Sequence, residues 1–167
     1  MKSFTIIATI LAVAASASPI GKRAVFADTT FNDISISGGT AGNAEAEAQQ
    51  ALSGLPADLT AVDQADLDFL NSVNQVANDA EKEGFNTAIE AATGAEADSL
   101  QIGKIKNKVL KLTATVMKLQ AQQAQGEDVA DKLAEEQTKL DNNIKQDVAE
   151  AGNASTNVQF DGAITAA

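Results

Sequence analysis

The sequence has 167 residues, with 23 Asp and Glu against 12 Lys and Arg, a formal net charge of −11, and no His, Cys, Trp or Tyr. Without His or Cys the chain has no His-based acid or base, no Cys nucleophile, no ordinary zinc site and no disulfide. We therefore predict a non-enzymatic protein with no catalytic residue, metal or cofactor. An apolar content of 44% with only 4% aromatic residues predicts an aliphatic, alanine-rich core of one domain.

The first 17 residues have the pattern of a secretory signal peptide. A basic start at Lys2 precedes an apolar run from Phe4 to Val13, and the small residues Ala15-Ser16-Ala17 end the segment. The apolar run is too short to span a bilayer, and no second apolar stretch of about 18 residues follows it. We therefore predict an extracellular protein with no integral membrane segment once residues 1–17 are removed.

Residues 18–23 are predicted to form a short propeptide. It ends in the dibasic pair Lys22-Arg23, which resembles the processing site of fungal kexin-type proteases. Cleavage there starts the mature chain at Ala24 and leaves nine bases against 23 acids, a formal charge of −14. A charge of this size disfavours nucleic acid and anionic membranes as partners.

Beyond the processing site the sequence predicts an all-α fold, a small antiparallel bundle of about four helices. Residues 24–40 are predicted as an extended N-terminal segment, because Ile34-Ser35-Ile36-Ser37 alternates in polarity before Gly38-Gly39 ends the alternation. The helical bundle domain spans residues 41–151. Residues 152–167 have lost the helical period, and we predict an irregular tail there.

The first half of the bundle is predicted from composition and spacing. Residues 41–54 are rich in Ala, Glu and Gln, which favour helix. A longer helix runs from Asp58 to about Glu83, with Gly84 as its stop, and a shorter one covers residues 86–92. The longer helix has apolar residues at helical spacing: Leu59, Val62, Phe69, Leu70, Val73, Val76, Ala77 and Ala80.

The second half predicts an antiparallel helical hairpin over residues 104–150. Gly103 should weaken the first turn, so we expect the first helix to begin near Ile105. Gly126 is expected as a left-handed stop, and Asp128 as the N-cap of the second helix. The first helix has aliphatic residues in steps of three and four: Ile102, Ile105, Val109, Leu112, Val116 and Leu119. The second has an apolar face of Val129, Leu133, Leu140, Ile144 and Val148.

Five lysines lie in a 15-residue window that contains no acid: Lys104, Lys106, Lys108, Lys111 and Lys118. One interpretation is a basic amphipathic helix for an anionic ligand or partner. A second is ion pairing within the chain, because residues 24–103 carry 14 acids and only Lys82 as a base. A third is a solvated surface. We expect pairing within the chain to account for most of the five.

Two further patterns concern ligands and modification. Asp63, Asp66 and Asp68 could suggest calcium, but they lack the spacing of an EF-hand loop, so we interpret them as a helical acidic face. Asn153-Ala154-Ser155 is an acceptor pattern for N-glycosylation in a secreted chain, which makes Asn153 a candidate modification site.

Three stretches carry a resemblance to known proteins: FNDISISGGTAGNAEAEA, GKIKNKVLKLTATVMKL and QAQQAQGEDVADKLAEEQTKLDNNIKQD. Together they resemble the cysteine-free small secreted proteins of filamentous ascomycete fungi, over most of the mature chain. The chain is more distantly similar, in size and composition, to the fungal hydrophobic surface-binding protein A family. That second similarity implies adsorption to hydrophobic solids or cell walls.

These observations predict a secreted fungal protein that acts at the cell wall or in the medium through surface or protein contacts. Two alternatives stay open. One is a host-directed effector, which secretion and small size would allow. The other is a binder of hydrophobic surfaces or lipids, although many small Ala positions favour close helices over a roomy cavity.

Overall fold

The computed structural model of the protein describes residues 23–166. The predicted signal peptide over residues 1–17 lies outside the described residues, as does the propeptide up to Lys22. Arg23 is described, and its side chain is exposed. Between residues 23 and 166, none of the helices combines the length and the apolar character that a membrane span requires.

Helices make up most of the described chain. They include a 3₁₀ turn over Leu59–Ala61 and a π-helical segment over Ala80–Phe85. The α-helices are α1 (Phe31–Ile34), α2 (Ala44–Ala51), α3 (Gln64–Asp79), α4 (Asn86–Ala91), α5 (Ala95–Ala124) and α6 (Ala130–Ala149). The strands have two residues each: β1 (Thr29–Thr30), β2 (Gly39–Thr40), β3 (Ala154–Ser155) and β4 (Ala163–Ile164).

The strands correct the prediction of an all-α fold with an irregular tail. β1 pairs antiparallel with β4, with Thr29 opposite Ile164, and β2 pairs antiparallel with β3, with Gly39 opposite Ser155. The tail therefore satisfies part of its backbone by pairing with the N-terminal segment, which the helical period could not reveal. The N-terminal segment is not wholly extended either, since α1 interrupts it. The fold is mainly helical, with two small strand pairs at its margin.

Helix α5 lies at the centre of the structure, because α2, α3, α4 and α6 all contact it. Its predicted apolar seam is buried at every position except Ile105, which is only half-buried. The opposite side of α5 is buried too, at Leu110 and Ala114. A helix covered on several sides needs more than one apolar stripe. In the main core, the buried side chains of α5 pack with residues of other elements: Phe31, Leu52, Phe69, Leu70, Val73, Leu140 and Ile164.

Helices α5 and α6 form the predicted antiparallel hairpin. The Thr156 amide, just beyond α6, donates to the Ser99 carbonyl in the first turns of α5 at 3.0 Å, so the end of α6 lies beside the start of α5. Gly126 has a φ of 96° in the connection, which confirms it as a left-handed stop. The prediction for Asp128 is wrong. Val129 occupies the N-cap of α6, without a capping bond from its side chain.

Two glycines that we expected to end or weaken helices serve packing instead. Gly84 lies inside the π-helical segment, and the chain continues helically to Ala91. A Cβ at Gly84 would lie 3.1 Å from the Val158 side chain. Gly103 lies inside α5, where a Cβ would overlap the Thr156 carbonyl oxygen. The tail packs directly on the helix surface at both positions, and at Gly103 it leaves no room for a side chain.

Replacing Val109 with Asp should lower the free energy of unfolding by about 4 kcal/mol, because it puts a carboxylate into a fully buried position. Val148→Asp is the matched control, since 56% of the Val148 residue is exposed, and it should change stability little. Urea unfolding followed by circular dichroism measures both. Equal stabilities of the two variants would contradict the assignment of Val109 to the core.

Candidate functional site

A groove opens between the start of α5 and the end of α6. Its volume is about 540 Å³. The antiparallel hairpin creates it, because the last turn of α6 and the turn that leads to β3 flank the first turns of α5. The lining residues are Ala95, Asp98, Ser99, Gln101, Ile102, Ile105, Glu150, Asn153 and Ala154.

The groove has an apolar floor with acidic and amide groups around it. Ile102 and Ile105 supply the aliphatic part, which is why Ile105 is only half-buried. Asp98 and Glu150 supply carboxylates, and the Asn153 side-chain amide donates to Glu150 Oε2 at 2.7 Å. Carboxylates and amides can accept hydrogen bonds from ammonium and hydroxyl groups. The arrangement therefore suits a cationic or hydroxyl-bearing ligand.

The candidate glycosylation site borders this groove. Asn153 is exposed, and its backbone is fixed by the Ala41 amide, which donates to its carbonyl at 3.0 Å. Ser155, the third residue of the acceptor pattern, is 8% exposed, and its hydroxyl donates to the Ser37 carbonyl at 2.5 Å. The structure thus leaves the acceptor side chain accessible but uses the serine hydroxyl in the fold.

Three of the five lysines of α5 form ion pairs within the chain, as we expected for most of them. Lys108 and Lys111 both contact Glu81 of the π-helical segment, at 3.3 and 2.6 Å. Burial alone would raise the pKa of Glu81, but the hydrogen bond and charge of Lys111, with the charge of Lys108, lower it below its ordinary value. The third, Lys106, pairs with Glu47 at 2.7 Å.

Lys118 lies in a smaller cavity of about 240 Å³ between α3, α5 and α6. Its Nζ donates to the Asn71 side chain at 2.9 Å. Burial is the main cause that lowers the pKa of Lys118, and the nearby charge of Lys132 acts in the same direction. Asp68 and Glu127 oppose that shift. The lining of this cavity combines Lys118 and Lys132 with Glu136 and two asparagines.

Lys106 is the most unusual of the five, because its side chain is fully buried. Its Nζ donates to the backbone carbonyls of Gly38 and Thr40, at 2.8 and 3.1 Å, and contacts Glu47 of α2. A buried ammonium is tolerated only when its donors are satisfied in this way. Lys106 therefore fastens the segment that contains β2 to the centre of α5.

Two buried carboxylates, which we did not predict to be buried, bind backbone amides on either side of β2. Asp66 of α3 is 0% exposed and accepts from the Val25 and Phe26 amides at 2.8 and 3.0 Å. Asp147 of α6 is 1% exposed and accepts from the Gly42 and Ala44 amides at 3.0 and 2.9 Å, which caps the start of α2.

The spacing of Asp66 and Asp147 from apolar residues of the same helix could have predicted that both are buried. Asp66 precedes Phe69, Leu70 and Val73 by three, four and seven residues, so it shares their buried face. Asp147 follows Leu140 and Ile144 by seven and three residues, and it occupies the inward position that we had assigned to Val148.

The other aspartates considered for calcium have local structural roles. Asp63 accepts from the Ala65 amide at 3.0 Å and caps α3, while Asp68 accepts from the Gln64 side chain at 2.9 Å. Over residues 23–166, the acids nowhere gather in a group of three or more that could hold a metal ion.

The fold and the groove define a class of protein: mainly helical, cysteine-free, and closed by buried charges that hold its N-terminal segment. The chain belongs to the family described as Domain of unknown function (DUF8454), whose model matches residues 26–159. No curated protein and no solved structure matches the chain. The family match covers all six helices and ends before β4.

Replacing Lys106 with Met should lower the free energy of unfolding by about 3 kcal/mol, because Met keeps the aliphatic volume but leaves two carbonyls and Glu47 without their cation. Lys104→Met is the control, since Lys104 forms no ion pair within the described part of the chain. Thermal unfolding compares the two variants. If Lys106→Met is no less stable than Lys104→Met, the buried ammonium does not hold the N-terminal segment.

Proposed function

We propose that the protein is secreted and non-enzymatic, and that it acts at a fungal cell wall or in the extracellular medium by binding a cationic partner in the acidic groove. The single observation that carries the proposal is the groove itself, which brings Asp98 and Glu150 together with the Gln101 and Asn153 amides over an aliphatic floor. Secretion and fungal origin rest on the signal pattern and on the resemblance described above.

Charge supports a cationic partner. The chain has a formal net charge of −11, and −14 if residues 1–23 are removed, as counted from its nine remaining bases and 23 acids. A long-range negative field attracts cations and speeds their encounter with the protein. Three of the lysines on α5 are already paired with Glu47 or Glu81, so they do not cancel the carboxylates of the groove.

Composition supports a non-enzymatic role, because the whole chain lacks His and Cys, and it lacks the Trp and Tyr that commonly stack on sugar rings. Adsorption to hydrophobic surfaces gains less support. Within residues 23–166, Val25 and Val148 are the large hydrophobic residues with exposed side chains, and two separated valines do not make an apolar patch.

A polysaccharide that carries free amines would fit the groove chemically. Its ammonium groups would meet Asp98 and Glu150, and its hydroxyls would meet the amides of Gln101 and Asn153. Exposed charge pairs contribute only about 0 to 1 kcal/mol each. We therefore expect binding through several weak contacts along a polymer, with a strong dependence on salt.

Binding to a glucosamine polymer should exceed binding to its fully N-acetylated counterpart, which has the same backbone without the charge. The double variant Asp98→Asn, Glu150→Gln should reduce the affinity about tenfold, because two charge contacts of roughly 0.7 kcal/mol each are lost. The control Asp131→Asn, Glu135→Gln changes the net charge equally at exposed positions of α6 outside the groove. Co-sedimentation with each insoluble polymer, at low and high salt, measures the difference.

Equal losses in the two double variants would attribute binding to net charge and would refute the groove as the site. Retention of the native protein on hydrophobic beads but not on either polymer would refute the cationic partner and favour adsorption to apolar surfaces.

We predict that the secreted protein begins at Ala24, because the signal pattern and the dibasic pair Lys22-Arg23 are consecutive processing cues. The family match begins at Phe26 and so leaves the addressing segment outside the family domain. Sequencing the N-terminus of the protein recovered from culture medium tests the prediction. Recovery of intact Met1, or of the protein from the cytosol alone, would contradict it.

A further inference from the structure

The Asp66 carboxylate binds the first residues of the described chain through only one of its two oxygens. Asp66 lies in the first turn of α3 and is fully buried. One oxygen, Oδ1, accepts from the successive amides of Val25 and Phe26 at 2.8 and 3.0 Å. The other, Oδ2, is buried and has no hydrogen-bond partner among residues 23–166.

Asp66 forms no ion pair with a side chain of the described residues. A buried carboxylate oxygen without a donor costs free energy, and a buried charge normally has a partner of opposite sign. A positively charged donor that reaches Oδ2 would satisfy both requirements at once.

Ala24 is the next residue in the chain before the two amides that Asp66 binds. It immediately precedes Val25, whose amide is already bound to Oδ1, and consecutive Cα atoms are only about 3.8 Å apart. The bond between Arg23 and Ala24 is also the bond that a dibasic-specific protease would cut. Hydrolysis breaks this amide bond and adds water, so that Arg23 gains a carboxylate and Ala24 gains an amino group, which is an ammonium at neutral pH.

We propose that Asp66 is the binding site for the α-ammonium of Ala24 in the processed protein, with Oδ2 as its acceptor. The inference rests on the processing step of the proposed function. Before cleavage the Ala24 nitrogen is a neutral amide with one hydrogen. After cleavage it carries a charge and three hydrogens, so it can form a charge-assisted hydrogen bond to Oδ2.

The same contact would fix the new N-terminus against α3. The Phe26 ring stacks on the Phe69 ring, with centroids 4.5 Å apart and planes 15° from parallel. Phe69 lies three residues after Asp66, on the same face of α3. The ammonium, two amides and an aromatic ring would then anchor residues 24–26 together, directly before β1. Processing would in this way complete the fold as well as release the propeptide.

The test compares the full chain before and after cleavage in vitro by a kexin-type protease, for the native sequence and for Asp66→Asn. We expect cleavage to raise the melting temperature of the native protein by about 5 °C and to leave that of Asp66→Asn unchanged. Asp68→Asn is the matched control, because Asp68 lies on the same helix and contacts the Gln64 side chain. Its melting temperature should rise on cleavage as in the native protein.

A second measurement covers the case in which Asp66→Asn does not fold. The Ala24 amine of the cleaved native protein should react with an acylating reagent at least about tenfold more slowly than in the same protein unfolded in urea, since one pKa unit corresponds to a factor of ten. Equal labelling rates, or a melting temperature that cleavage does not change, would overturn the proposal.

The experiments also distinguish a failure of the ammonium site at Asp66 from a failure of the predicted cleavage after Lys22-Arg23. Cleavage in vitro makes the test independent of what the cell does. A secreted protein that does not begin at Ala24 would refute processing at Lys22-Arg23, while a stabilised cleavage product would still support the ammonium site. A secreted protein that begins at Ala24 but gains no stability through Asp66 would refute the ammonium site alone.

Discussion

A single ammonium group inside the protein decides how the N-terminal segment lies on the bundle. The Lys106 side chain is fully buried, so its charge must be met from within, and the carbonyls of Gly38 and Thr40 and the carboxylate of Glu47 meet it. These contacts bring β2 and the middle of α2 to the same point on α5. β2 then pairs with β3, so Lys106 also helps to position the start of the tail.

Buried charge acts as a fastening in two further places. Asp66 holds the amides of Val25 and Phe26, and Asp147 holds those of Gly42 and Ala44. In each case a helix of the bundle contributes a charged side chain, and the N-terminal segment contributes only backbone groups. Such contacts specify a position more than they add stability, since burying the charge offsets much of the gain. In a chain without cysteine, they perform the positioning that disulfides often provide in secreted domains.

The sequence correctly predicted the helical features that follow from the spacing of apolar residues and glycines. The apolar face of α3, the hairpin of α5 and α6, and the left-handed turn at Gly126 all agree with the structure. These features are local, because spacing along a helix determines which side chains share a face. The groove beside Asn153 could not be predicted from the sequence, because it forms only when two distant helix ends meet.

The errors arise where a polar residue occupies an apolar face or where the tail contacts a helix. The spacing that identifies a buried leucine applies equally to Asp66 and Asp147, but charge led us to assign such positions to the surface. Glycine often ends a helix, and we predicted that Gly84 would do so, but Gly84 instead packs against Val158. That contact joins residues 74 positions apart, and no pattern within one helix encodes it.

The buried hydroxyl of Ser155 has a consequence for the order of events during biosynthesis. The enzyme that attaches an N-linked glycan recognises the hydroxyl of the acceptor pattern as well as the asparagine. In the folded protein this hydroxyl donates to the Ser37 carbonyl, which lies 118 residues earlier in the chain. In a secreted chain, glycan transfer to Asn153 would therefore compete in time with closure of the tail, and the occupancy of Asn153 would report how quickly a newly made chain completes its fold.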